Sequence, residues 1–192
     1  MTHVFKANQV VDCKGMACPM PIVRTKKALD AVKPGEVVEM QATDAGSLAD
    51  IRSWAQNTGH HYLGTLHEGA VMKHFIRKVS VEETKEDIAF TPEIGNEEIQ
   101  GLLEAGRKAR ILDVREPAEY AFCHIPGAIG VPLGELEARL GELDADETYY
   151  VICRTGRRSG MACRLLKANG YSASNVVPGM SEWRGPTEQS AR

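Results

Sequence analysis

Tyr149-Tyr150-Val151-Ile152-Cys153-Arg154-Thr155-Gly156-Arg157-Arg158-Ser159 is the stretch that decides the fold of the C-terminal half. Its first residues extend an apolar strand over Thr148 to Cys153, and the pattern after the loop predicts a helix over Ser159 to Ala168, ended by Gly170. A strand, a tight loop and a helix make an anion cradle, because loop N–H groups and the helix N-terminus converge on one point. Arg154, Arg157 and Arg158 add positive potential around Cys153. A thiol with a reference pKa of about 8.5 acidifies in such a setting and offers the nucleophilic thiolate. The plainer reading is a buried cysteine at a strand end, beside a solvated basic loop.

Working outward, the same alternation continues. A short strand near Ile88, a helix from Asn96 to about Ala105 ended by Gly106, and a buried strand over Ala109 to Val114 precede the loop. Leu133 to Leu140 reads as helical, and Ser174 to Val177 as a closing strand. Strands alternating with helices of about ten residues imply a doubly wound α/β domain with a mainly parallel sheet. Sites in such sheets lie at the carboxyl ends of strands.

Upstream, the polar, acidic run Val81-Glu82-Glu83-Thr84-Lys85-Glu86-Asp87 has no apolar periodicity and marks a seam. Residues 1–81 are expected to form one domain, 82–88 an acidic linker and 89–192 a second domain. In the first half, Val4 to Val11 reads as a strand. A helix then runs from Pro19 until Pro34-Gly35, and Glu36 to Thr43 is a second strand. Ser47 opens a second helix that Thr58-Gly59 ends, and strands at Tyr62 to His67 and Val71 to Val79 turn at Glu68-Gly69. The βαβαββ order predicts a two-layer sandwich of two helices on a four-stranded sheet.

The chain has 192 residues, of which 43% are hydrophobic and 26% charged, with a formal net charge of -3. Residues 1–80 hold ten Lys and Arg against seven Asp and Glu, and the remainder thirteen against nineteen, so the halves are +3 and -6. Neither is basic enough to suggest nucleic acid as a partner, and the +3, which includes Arg77 and Lys78, reads as a solvated surface. No stretch is apolar enough to span a membrane, and Met1-Thr2-His3-Val4-Phe5-Lys6 lacks the apolar core of a signal peptide. A cytoplasmic location is expected. With five cysteines, at least one is outside any intramolecular disulfide.

Leu112-Asp113-Val114-Arg115-Glu116, Glu119-Tyr120, His124-Ile125-Pro126-Gly127-Ala128, the Cys153 loop, Pro178-Gly179-Met180 and Trp183 occur in an order that resembles the rhodanese family of sulfurtransferases, over about residues 88 to 186. The resemblance implies that Cys153 carries sulfane sulfur as a persulfide. Arg154, Thr155, Gly156, Arg157, Arg158 and Ser159 would then bind an anionic donor such as thiosulfate or a low-molecular-weight persulfide. The fold also resembles the Cdc25 type of phosphatase and arsenate-reducing relatives, but those need an arginine six places after the cysteine, where this chain has Ser159. Asp113, Arg115 and His124 are expected to support loops rather than do chemistry, and Cys163 to pack in the core.

The second reactive candidate lies in Asp12-Cys13-Lys14-Gly15-Met16-Ala17-Cys18-Pro19-Met20-Pro21. Cys18 precedes a helix, where unpaired N–H groups and the macrodipole would favour a negative sulfur. Gly15-x-x-Cys18-Pro19-x-Pro21 after a strand resembles the TusA/SirA-like sulfur-carrier domain, which implies a persulfide carrier at Cys18. Cys13 reads first as a strand-end residue without chemistry and second as a possible resolving thiol for Cys18; Cys123, also a possible resolving thiol, stands where rhodanese relatives have glycine. Cys13-x4-Cys18 lacks the further ligands a zinc site needs. The combined expectation is a sulfurtransferase with relay between Cys153 and Cys18, ending on a thiol acceptor or downstream acceptor protein. The alternative is a carrier or adaptor without efficient turnover. No metal, nucleotide or flavin is required.

Overall fold

The computed structural model describes residues 6–80, 83, 90 and 92–190, which divide into two compact units, within Val4–Thr84 and within Lys85–Ser190. The first follows the βαβαββ order: β1 (Gln9–Asp12), α1 (Met20–Ala31), β2 (Val37–Ala42), α2 (Ser47–Asn57), β3 (His61–Glu68) and β4 (Val71–Arg77). The sheet order is β1-β2-β4-β3, with β1 and β2 parallel and the other pairs antiparallel. A parallel pair needs a crossover, which α1 supplies, whereas β3 and β4 need only a tight turn, made at Gly69 with φ +59°.

Period-2 alternation sends Val38, Met40 and Ala42 of β2 to one face of this sheet. Ile76 of β4 joins them, and Ala28, Leu29, Ile51 and Ala55 of the two helices close over the set. Each large aliphatic buried here stabilises the fold by about 1.5–3 kcal/mol. Of the first expected strand, Val4 and Phe5 lie outside the described residues, and pairing begins at Gln9. The expected linker over 82–88, apart from Glu83, and the strand near Ile88 also lie outside them. Glu83 accepts from Arg77 through both oxygens, Nη1 and Nη2 each at 2.9 Å. Arg77 is therefore no solvated surface charge: a bidentate partner lets its guanidinium be 2% exposed.

The second unit contains β5 (Glu93–Gly95), α3 (Asn96–Glu104), β6 (Arg110–Asp113), α4 (Pro117–Phe122), β7 (Ile129–Gly130), α5 (Leu133–Leu136), β8 (Thr148–Ile152), α6 (Arg157–Ala168) and β9 (Ser172–Val177). Its sheet is parallel throughout, in the order β5-β9-β8-β6-β7. Neighbouring residues serve opposite faces. Ile111 and Ile152 pack with Ile99 of α3, while Leu112 and Val151 pack with Leu136 of α5 and Ala162, Cys163 and Leu166 of α6. This is the doubly wound arrangement. The helix expected over Leu133 to Leu140 is α-helical only to Leu136 and continues as a 3-10 helix over Glu137–Glu142. β8 lies between β9 and β6, so Cys153, the next residue, opens at the carboxyl edge of the sheet.

Candidate active site and carrier thiol

The loop after β8 closes on the Cys153 sulfur. The Gly156 N–H donates to Sγ at 3.2 Å, and the Ser159 hydroxyl stands between Sγ at 3.3 Å and the Gly156 carbonyl at 3.0 Å. Gly156 holds a left-handed φ of +105°, and a Cβ there would come within 2.8 Å of Val177 Cγ1, so the sharp turn requires glycine. Behind the loop, Met180 N–H donates to Cys153 O and Ser181 N–H to Arg154 O, both at 2.9 Å. Gly179 makes this approach possible: a Cβ would sit 2.6 Å from Cys153 O. Asn96 pins Gly179 from both sides, Nδ2 to its carbonyl at 2.9 Å and Oδ1 to its N–H at 3.2 Å. Cys153 itself is 1% exposed.

The three arginines part company. Arg158 turns inward to Glu119, with Nη1–Oε2 at 2.7 Å and Nη2–Oε1 at 2.9 Å, both side chains nearly buried. The expectation that Arg158 binds the donor is therefore corrected: both its terminal nitrogens are held by a buried carboxylate, which ties α6 to α4. Arg154, Thr155 and Arg157 are half-buried, and among the described residues the Arg154 side chain has no hydrogen-bond or ion-pair partner. Glu119 also accepts from Glu116 N–H in a capping box at the start of α4.

Asp113 and Arg115 form a buried ion pair, with Nε 2.9 Å from Oδ1, and Arg115 Nη2 donates to Cys123 O at 2.6 Å. His124 is buried, stacked on Tyr120 with ring centroids 3.8 Å apart, and its ring nitrogens face Tyr120 O at 2.7 Å and Glu188 Oε1 at 3.1 Å. Both are loop supports. Cys123 has extended backbone, φ -165°, which any side chain adopts, and among the described residues no interaction joins its thiol to Cys153. Cys163 is packed in the core, where burial pushes its thiol up to about 12, helped by Cys153.

In the first unit, Cys18 is exposed after a turn that Gly15 anchors, its N–H 3.0 Å from Thr43 Oγ1. The Cys18–Pro19 bond is cis. The expected helix-end cradle is largely missing. Pro19 and Pro21 have no N–H, Met20 N–H is spent on Ala17 O and Val23 N–H on Pro19 O. Instead of falling, the Cys18 pKa is raised, by lost hydration first, then by hydrogen bonding to Asp50 and by the Asp50 and Asp44 charges. These carboxylates line the same depression as Cys18, Ser47 and Met40. Cys13 is fully buried in the core, as suits a strand-end residue without chemistry, and desolvation raises its pKa, so the second reading of it as a resolving thiol is set aside. Among the described residues no group of acidic, His or Cys side chains is arranged to hold a metal, and no helix is long and apolar enough to cross a membrane.

Residues 9–78 match the family described as Sulfurtransferase TusA, and residues 95–186 the Rhodanese-like domain. Over 186 residues the chain is 49% identical to "Putative sulfur carrier protein YrkF" of Bacillus subtilis (strain 168), covering 96% of this chain and 100% of that protein. The chain belongs to the TusA–rhodanese sulfur carrier family. It is also 38% identical, over 71 residues, to "Sulfur carrier protein TusA" of Allochromatium vinosum, 37% of this chain and 93% of that one. A crystal structure of a rhodanese-like domain protein from Staphylococcus aureus is 33% identical, with a TM-score of 0.49, over 50% of this chain and 96% of that one. The TusA–rhodanese chain thus carries two candidate thiols in opposite settings: Cys153 among donors and arginines, Cys18 beside carboxylates. Sequence reading missed the second setting, since Asp44 and Asp50 stand 26 and 32 positions from Cys18 and no local pattern joins them.

Proposed function

We propose that this protein moves sulfane sulfur from thiosulfate or a low-molecular-weight persulfide to Cys153, then to Cys18, which presents it to a downstream thiol. The Cys153 thiolate attacks the outer sulfur of thiosulfate. A new S–S bond forms, the old one breaks, and its electron pair leaves with sulfite. Cys18, after giving its proton to solvent, attacks the outer sulfur of the Cys153 persulfide as a thiolate, the bond to Cys153 Sγ breaks and the Cys153 thiolate is regenerated, with no external oxidant or reductant. The observation that carries this reading is the Gly156 N–H directed at Cys153 Sγ, which suits a thiolate and equally a persulfide anion, with the Ser159 hydroxyl, whose one hydrogen is shared with Gly156 O, close enough to turn to the sulfur. Arg154 and Arg157 would draw the anionic donor.

The direction follows from charge. Asp44 and Asp50 beside Cys18 disfavour approach of a dianion, so loading through Cys153 is the easier route. Residues 1–81 would act as carrier domain and 89–192 as transferase, with the 82–88 tether raising the effective concentration of each thiol for the other. Thiocyanate production from thiosulfate and cyanide tests the reading. Cys153→Ser should abolish it and Cys18→Ser should retain it. Full activity in Cys153→Ser would end the enzymatic reading and leave that of a carrier without efficient turnover.

A further inference from the structure

His74 of β4 is fully buried on the helix-facing side of the first sheet, opposite Met40 in the β2 register. Both ring nitrogens have partners. Nε2 lies 3.2 Å from Ser47 Oγ, and Nδ1 lies 2.9 Å from Thr65 Oγ1 and 3.1 Å from Tyr62 OH. The Tyr62 and Thr65 hydroxyls also bond one another. Ser47 Oγ donates to the Asp44 carbonyl at 2.6 Å.

Counting protons fixes the direction of this chain. A serine hydroxyl has one hydrogen, and Ser47 gives it to Asp44, so toward His74 it can only accept. Nε2 must therefore carry the ring hydrogen. In a neutral ring Nδ1 is then bare and accepts from the Tyr62–Thr65 pair. Burial, aided by the charge of His67, lowers the His74 pKa to about 4, which keeps the ring neutral at ordinary pH. The string of bonds runs from Tyr62 and Thr65 through His74 and Ser47 to the backbone of Asp44. Asp44 and Ser47 line the depression that holds Cys18, and the Asp44 and Asp50 charges act on its thiol.

We propose that His74 is a positioning residue for the carrier thiol: as the Nε2–H tautomer it holds, through Ser47, the turn that keeps the Asp44 carboxylate beside Cys18. The proposal rests on Cys18 being the sulfur-bearing thiol of the carrier domain. Its claim concerns the electrostatic setting of that thiol and is measured without any sulfur donor, so its failure and that of the sulfur-transfer reading are separate results.

The experiment is site-resolved alkylation of Cys18 in the full chain by iodoacetamide between pH 6 and 10, read by peptide mass spectrometry. His74→Phe removes both links. With the folded state verified by circular dichroism, its profile should shift to lower pH, with a rate at pH 7.5 higher by about 2- to 4-fold. Asp44→Asn should shift it likewise, and adding His74→Phe to Asp44→Asn should change nothing further. His74→Gln, whose amide can still donate to Ser47, should lie near the wild-type profile. An unchanged profile in folded His74→Phe, or a full additional shift on Asp44→Asn, would overturn the proposal. Should His74→Phe not fold, two measurements decide. Ser47→Ala must give the same shift, and ¹⁵N NMR of the wild-type protein must find His74 protonated on Nε2 and bare on Nδ1. An Nδ1–H tautomer refutes the chain.

Discussion

Replacing Arg158 and Arg154 by alanine separates two uses of arginine within one loop. Arg158 makes two hydrogen bonds to Glu119, at 2.7 and 2.9 Å, with the guanidinium 9% exposed and the carboxylate fully buried. Removing one partner of such a pair leaves an uncompensated buried charge and costs about 3–5 kcal/mol. A domain is stable by only about 5–15 kcal/mol, so Arg158→Ala should shift the unfolding midpoint markedly. Trp54 lies in the first unit and Trp183 in the second, so urea unfolding followed by fluorescence in a Trp54→Phe background reports on the second unit alone. The double variant Arg158→Met with Glu119→Leu should recover most of the loss. A residue of about 1 kcal/mol should remain, because Glu119 also caps α4. Arg154→Ala should leave the midpoint within about 0.5 kcal/mol of wild type and raise KM for thiosulfate. An Arg158→Ala variant as stable as wild type that weakens donor use as Arg154→Ala does would refute the assignment of Arg158 to the Glu119 pair.

Other consequences are equally direct. Gly179→Ala puts a Cβ 2.6 Å from Cys153 O at φ +84°, so destabilisation of about 1–3 kcal/mol and slower Cys153 persulfide formation should appear together in unfolding and loading assays. Cys13→Ser buries a hydroxyl in an apolar core and should cost about 1–3 kcal/mol in urea unfolding, with the rate of Cys18 alkylation unchanged. Cys163, held near 12, should resist iodoacetamide at pH 8 in the native protein and react once unfolded. Because the unfolded thiol ionises first, its contribution to stability is complete below the ordinary thiol pKa. It is lost above that value, at up to about 1.4 kcal/mol per pH unit, until the folded pKa is reached.

Much of this architecture is legible locally. The βαβαββ order and the strand–loop–helix around Cys153 follow from apolar periodicity and Gly and Pro punctuation, which depend on neighbours in sequence. α4, with six residues, and β7, with two, are too short for a period to register. What the sequence hides is pairing at a distance. Arg158 looks like donor-binding charge until Glu119, 39 residues away, is brought against it. Cys18 looks like an acidified helix-end thiol until folding sets Asp44 and Asp50 beside it and its two prolines remove the donors such a site needs.

The first thiol to receive sulfur distinguishes a Cys153-loaded relay from direct loading of Cys18. Reduced full-length protein is pulsed with thiosulfate, trapped at successive times, and each cysteine peptide read for an added sulfur by mass spectrometry. Sulfur should appear first on Cys153 and later on Cys18. It should stay on Cys153 in Cys18→Ser and be absent from Cys18 in Cys153→Ser. Direct thiosulfate loading of Cys18 in Cys153→Ser, or no adduct on Cys153 at any time, would contradict it.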